Sequence, residues 1–200
     1  MKLSVPTERW VDQQAHWPDS GRHILACFDD ETIVVYQAYR ESIGRHALEH
    51  QRFGGEFSMT RMTWIKPNFL WMMYRSDWAR SDGQEVVLAI HLRRAGFDAY
   101  LAEAVPSSYV RELYATEADW KLAVKRSSVR LQWDPDHGPS GEKLERRAIQ
   151  IGLRGPAVER YVEEDVVRIE DATPFVREQR ERVRSELVTP RERVYPEPRE

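Results

Sequence analysis

The sequence predicts an α+β domain, a mixed or antiparallel sheet with helices packed on it. Three observations carry this. Runs rich in Val, Ile, Phe and Tyr give about six or seven strands, and helix-spaced runs give about four or five helices. The two kinds do not alternate regularly, as a parallel α/β fold would require. A chain of 200 residues with 41% hydrophobic content is long and apolar enough for one buried core.

Residues 1–21, with Pro6, Pro18 and Gly21, read as a lead-in to a single globular domain over 22–176. Within 22–38 two strands flank an Asp29-Asp30-Glu31 turn, both arms rich in β-branched and aromatic residues. Residues 40–51 switch to helical spacing, with Ile43, Ala47 and Leu48 on one face. A strand is expected over 57–64. A short helix follows with Pro67 at its first position, where the missing N–H costs nothing. On that helix Trp71, Tyr74 or Arg75, and Trp78 share a face.

The Ser81-Asp82-Gly83 break precedes a strand over 85–92, and another is expected over 97–104. Residues 106–113 and 117–124 read as short helices. Residues 129–133 read as a strand, 134–141 (DPDHGPSG) as a loop and 147–153 as a strand. Gly155-Pro156 then opens a helix running to about Ile169. From Arg177 charges of both signs crowd in with Pro190, Pro196 and Pro198, so 177–200 is expected to be a charged, flexible tail.

Lys plus Arg is 30 and Asp plus Glu is 33, a net charge of -3 that argues against a general duplex-DNA binder but leaves room for a local basic cleft. Cys27 is the single cysteine, so no intrachain disulfide forms and a reducing, cytoplasmic setting is expected. Its apolar neighbours make it a buried small hydrophobe. The first residues hold no apolar signal core, and no window approaches a membrane-spanning length.

The segment RMTWIKPNFLWMMYRSDW (61–78) is the richest in chemistry. In one use Trp64, Trp71 or Tyr74 stacks on a base while Arg61, Lys66 and Arg75 hold phosphates. In the other, Phe69, Trp71 and Met72 fill the core and the cations sit at its rim. His46, Glu49 and His50 form H-x-x-E-H, which places two imidazoles on one helix face for zinc and a Glu to activate water. Glu103, Glu112 and Glu117 are candidates for a third ligand, and a solvated helix face is the simpler alternative. Asp134, Asp136 and His137 either form a general acid/base group at a strand end or start a turn before Pro135. Arg22, entering the first strand, is expected to face Arg147 and Gln150 across a sheet.

Blocks at VYQAY (35–39), RMTWIKPNFLWMMYRSDW (61–78), QEVVLAIHLRRAGF (84–97), VRLQWDP (129–135) and RAIQIGLRG (147–155) resemble the family called domain of unknown function 4291, over roughly residues 22–175. The order of parts also resembles the ADP-ribosyltransferase superfamily, in the style of RNA 2'-phosphotransferases. Those chains carry a Tyr-His-Gly strand, a Tyr-bearing helix, a VVLxI strand and a late strand with a catalytic acid. Here Tyr36-Gln37-Ala38, Tyr74 and Gln150 stand at the first, second and last of these. Gln37 replaces the His or Arg, Ala38 the Gly, and Gln150 the acid.

This second resemblance implies a curved, split sheet and NAD as cofactor. ADP-ribose would pass to an RNA, a phosphate or a protein. It also implies a catalytic set of Gln37, Tyr74 and Gln150, and a cofactor-binding set of Arg22, Tyr36, Arg61, Trp64, Lys66 and Arg75. Tyr36 and Tyr74 would sandwich the nicotinamide, and the two glutamines would bond the ribose. The alternatives are a non-catalytic module for single-stranded RNA or a nucleotide, and a zinc hydrolase built on His46, Glu49 and His50.

Overall fold

The computed structural model describes residues 3–196. Its elements run β1 (Thr7–Arg9), α1 (Trp10–Gln14), β2 (Gly21–Arg22), β3 (Leu25–Ala26), β4 (Thr32–Tyr39), α2 (Glu41–His50), β5 (Thr63–Ile65), α3 (Phe69–Ser76), β6 (Val86–Arg93) and α4 (Arg94–Glu103). There follow β7 (Val105–Pro106), α5 (Glu117–Arg126), β8 (Val129–His137), β9 (Lys143–Leu153), α6 (Pro156–Arg160), a π turn (Tyr161–Asp165), β10 (Val166–Asp171) and α7 (Thr173–Arg180). A 3-10 turn (Arg184–Glu186), β11 (Val188–Pro190) and β12 (Arg193–Val194) complete the order. Seven α-helices among the described residues and a curled, mixed set of sheets make this an α+β domain. Among the described residues no helix is long and apolar enough to cross a membrane.

The first sheet has the order β10-β6-β4, all antiparallel. The turn before β4 forms because Asp29 Oδ1 accepts the amides of Glu31 and Thr32 at 2.9 and 2.7 Å. Both faces of this sheet are buried. Ile33, Val35, Leu88, Ile90 and Leu92 look into one core cluster, and Val34, Tyr36, Val87 and Ala89 into the other. The second sheet has the order β2-β9-β8-β7, with β5 also on β9. It sends Ile65, Val129, Ile149, Ile151 and Leu153 into the first cluster. The two sheets touch where Tyr36 and Lys66 exchange backbone hydrogen bonds of 2.7 and 3.3 Å. Helix α2 lies close on β6 because residue 44 is glycine: a Cβ there would sit 2.5 Å from a Val86 methyl carbon.

Several expectations are corrected. Residues 97–103 lie in helix α4, not a strand: Phe97 and Tyr100, one turn apart, bury in an alanine-rich run, and that helical spacing outweighs the strand preference of the rings. Residues 106–113 form no helix; Val105–Pro106 pair parallel with β8 and turns follow. The strand expected over 57–64 shrinks to Thr63–Ile65. Pro67 precedes the α3 cap rather than opening the helix: Asn68 is the N-cap, its side chain accepting the Trp71 amide at 2.7 Å. Trp78 lies beyond α3, in a left-handed run over Asp77, Trp78 and Ala79. The 134–141 loop is mostly hairpin, since β8 continues through His137 opposite β9. The helix opened by Pro156 is α to Arg160 and continues as the π turn to Asp165, and Val166 to Asp171 then form the strand β10 on β6.

The largest correction concerns 177–196, which is built into the fold rather than trailing from it. Strand β11 pairs with β1, and β12 with β3. Leu187, Thr189, Glu192 and Tyr195 are buried. The lead-in is bound by the same pairing. Residues 197–200 of the expected tail lie outside the described residues.

Candidate functional site

The β5–β9–β8 register decides which side chains share a surface. Trp64 lies opposite Gly152, Arg130 opposite Gly152 on the other edge, and Gln132 opposite Gln150. With a strand period of two, Trp64, Lys66, Gln150, Arg130, Gln132 and Asp134 fall on the face away from the core. Gly152 is what lets the indole lie over β9: a Cβ there would come within 3.0 Å of Trp64 Cη2 and 2.7 Å of Met62 Sδ.

Beside this face opens a cavity of about 740 Å³, whose lining includes Gln37, Tyr39, Arg40, Arg61, Trp64 and Lys66. Gln37 is 3% exposed and fully engaged. Its Nε2 donates to Thr63 Oγ1 at 2.6 Å and to the Trp64 carbonyl at 3.2 Å, and its Oε1 accepts from Tyr161 Oη at 2.7 Å. Tyr39 Oη joins the same Thr63 hydroxyl at 2.8 Å. Gln37 is thus a fixed wall of the cavity, with both amide donors used and its oxygen engaged by Tyr161.

Lys66 is different. Its side chain is 7% exposed, and its one hydrogen-bonding contact is Nζ to the Trp64 carbonyl at 3.5 Å. Among the described residues no carboxylate lies within ion-pair distance of it. Burial, helped by repulsion from Arg75 and opposed by attraction to Asp134, pushes its ammonium down to about 8. Asp134 in turn accepts from Gln132 Nε2 at 2.8 Å and Gln150 Nε2 at 2.7 Å. Arg61 also has no carboxylate within ion-pair distance among the described residues, while Arg40 sits 3.6 Å from Glu56.

The expected site residues therefore divide. Gln37, Arg61, Trp64 and Lys66 line one cavity. Gln150 donates to Asp134, and neither Gln150 nor Arg75 lines that cavity. Tyr36 is wholly buried, edge-on to Phe69 at 5.4 Å, so it offers no face to a ligand. Tyr74 stacks on His137 at 3.6 Å and does not line that cavity. The structure does not bring Tyr36 and Tyr74 to a common opening, so the expected sandwich does not form: Tyr36 is enclosed, and Tyr74 is exposed in a different part of the surface. Trp71 is core, 5% exposed. Arg22 lies beside Arg147 at the far end of β9 and also does not line the cavity.

His46 and His50 stack on each other at 4.1 Å, and no cluster of three metal-ligating side chains forms among the described residues, with or without Glu49. Asp136 is buried against Arg146 at 2.7 Å. His137, 2% exposed, has its imidazole pushed down by burial. Neither lines the cavity, and Asp134 is a mid-strand acceptor rather than the start of a turn.

Gln132, Thr63 and Tyr161 are the partners that sequence reasoning missed, and Asp134 was read as an acid or a turn-former rather than as the acceptor of Gln132 and Gln150. The signal for Gln132 and Asp134 was present in the polar–apolar alternation of Arg130-Leu131-Gln132-Trp133-Asp134.

A family model described as domain of unknown function, DUF4291, matches residues 23–199. The chain belongs to the DUF4291 family. The match takes in every strand that builds the polar face and every residue that lines the cavity, so the candidate site lies wholly within the DUF4291 region. No curated protein matches the chain. The DUF4291 description carries no activity with it, so the chemistry rests on the geometry above.

Proposed function

We propose that the DUF4291 cleft binds an anionic, ring-bearing small molecule, a nucleotide, with NAD as the first to test. One observation carries this reading. Arg61 and Lys66, which have no carboxylate within ion-pair distance among the described residues, line the same cavity as the half-buried Trp64, beside the acidic Glu56, Asp82 and Glu85. A flat ring sharing a cavity with two unpaired cations matches a base and its phosphates. The cavity volume falls within the range of small-molecule sites. The likeness of motif order to ADP-ribosyltransferases supports NAD in particular. Gln37 and Gln150 are each committed to protein partners, so the reading is of binding first.

Calorimetric titration of NAD, ADP and AMP tests it. Saturable binding that weakens at least about tenfold in Arg61→Ala supports the reading. Absence of binding up to millimolar nucleotide ends it. Free nicotinamide in the NAD titration would extend the reading to ADP-ribose transfer.

A further inference from the structure

Lys66 holds a position that phosphate binding does not fully use. Lys66 is a buried residue of the cavity lining, which the exposed Arg61 shares. It has one long contact to a carbonyl oxygen and no carboxylate within ion-pair distance among the described residues. A lysine kept only to carry charge is better placed in water, where the charge costs nothing. A lysine in a ligand-sized cavity without a counter-ion is placed to lose its proton there and act as an amine.

We propose that Lys66 is a nucleophile that condenses with the aldehyde or ketone of a phosphorylated ligand in this cleft. The proposal rests on the cleft being a ligand site, as above, though not on that ligand being NAD. The exposed guanidinium of Arg61 takes the phosphate, Trp64 takes a flat portion of the ligand, and the carbonyl carbon meets Nζ.

The chemistry balances without any further reactant. The Nζ lone pair forms the C–N bond while the carbonyl π pair moves to oxygen. That oxygen then receives both Nζ protons and leaves as water, giving the imine. The depressed proton affinity of Lys66, about 8, supplies the free amine. Near pH 8 roughly half the side chain is neutral, on the order of a hundredfold more than for a lysine in water. Burial first and then repulsion from Arg75 keep that affinity low, and Asp134 limits how far it falls.

Pyridoxal 5'-phosphate is a suitable probe, having an aldehyde, a ring and a phosphate. The full chain is incubated with it near neutral pH, reduced with borohydride, and mapped by peptide mass spectrometry. Lys66 is expected to be labelled at least about tenfold faster than the exposed Lys121, Lys125 and Lys143. Pyridoxal without the phosphate is expected to lose most of that preference. Label confined to the exposed lysines overturns the proposal, as does equal preference for the unphosphorylated aldehyde. A parallel NAD titration separates the two readings. NAD binding with Lys66 unlabelled ends this proposal and leaves nucleotide binding standing. Phosphate-dependent labelling of Lys66 without NAD binding does the reverse.

Discussion

Glu192 Oε1 accepts the backbone amide of Phe69 at 2.6 Å, across 123 residues of chain. The same carboxylate receives Asn68 Nδ2 at 3.3 Å. Helix α3, which follows directly on Lys66, therefore has its first amide satisfied from the C-terminal segment and the Trp71 amide from its own Asn68 cap. Burial pushes the Glu192 carboxyl well above its ordinary range, against the pull of the Phe69 amide.

This makes a prediction for Glu192. A carboxyl whose folded proton affinity is raised contributes stability that is fully present below its unfolded range and is lost as pH rises through the folded value. The wild-type urea midpoint should fall as pH rises out of the acid range, and Glu192→Gln should flatten that fall. The amide keeps an acceptor for Phe69 and carries no buried charge. Glu192→Ala should cost about 1–2 kcal/mol in the acid range, by leaving the Phe69 amide unpaired, and less as pH rises, because it too removes the titrating carboxyl.

Lys66 has the opposite sign. Its folded value is depressed, so the folded state binds fewer protons and stability rises with pH between about 8 and the ordinary lysine range. The penalty at neutral pH is on the order of 3 kcal/mol. Lys66→Met should raise the melting temperature near pH 7 and remove the alkaline rise, while abolishing phosphate-dependent aldehyde labelling. A lower melting temperature in Lys66→Met would show that the ammonium is not an unpaired burden.

Gly152 is the test of the aromatic platform. A Cβ at 152 forces Met62 and Trp64 aside, costing roughly 1–3 kcal/mol. Gly152→Ala should shift the tryptophan emission and weaken nucleotide binding, with far-ultraviolet circular dichroism unchanged. Binding that is unaffected would remove Trp64 from the site.

Gln37 carries structure as well as lining the cavity. Gln37→Leu leaves Tyr161 Oη without its acceptor in a fully buried setting. A loss of about 2 kcal/mol in chemical denaturation is expected. A neutral outcome would mean that Tyr161 finds another acceptor.

The strands β4 and β6 and helix α2 were legible because their apolar spacing is long and unbroken. The α4 segment was not, because Phe97, Tyr100 and Leu101 favour strands when read singly, and only their one-turn spacing betrays the helix. The C-terminal segment was misread because charge was taken for solvation. Arg177, Arg182, Arg184, Arg191 and Arg193 do lie outward, but Leu187, Glu192 and Tyr195 among them are buried by partners 97 to 179 residues distant in sequence. For the site, Arg61, Trp64 and Lys66 were visible as a ring among cations. The burial that makes Lys66 differ from Arg75 depends on a backbone bridge to Tyr36, which no local pattern encodes.

The hold that Glu192 has on α3 also bears on the order of events during synthesis. The segment that caps the helix leaves the ribosome long after the helix itself. Until it does, the start of α3 lacks its partner, β1 lacks β11, and the apolar side of α1 stands open. The nascent chain is then most exposed to chaperones and proteases until residues 187–195 emerge. A fusion that delays delivery of residues 187–195 should lower soluble yield more than one at the opposite end.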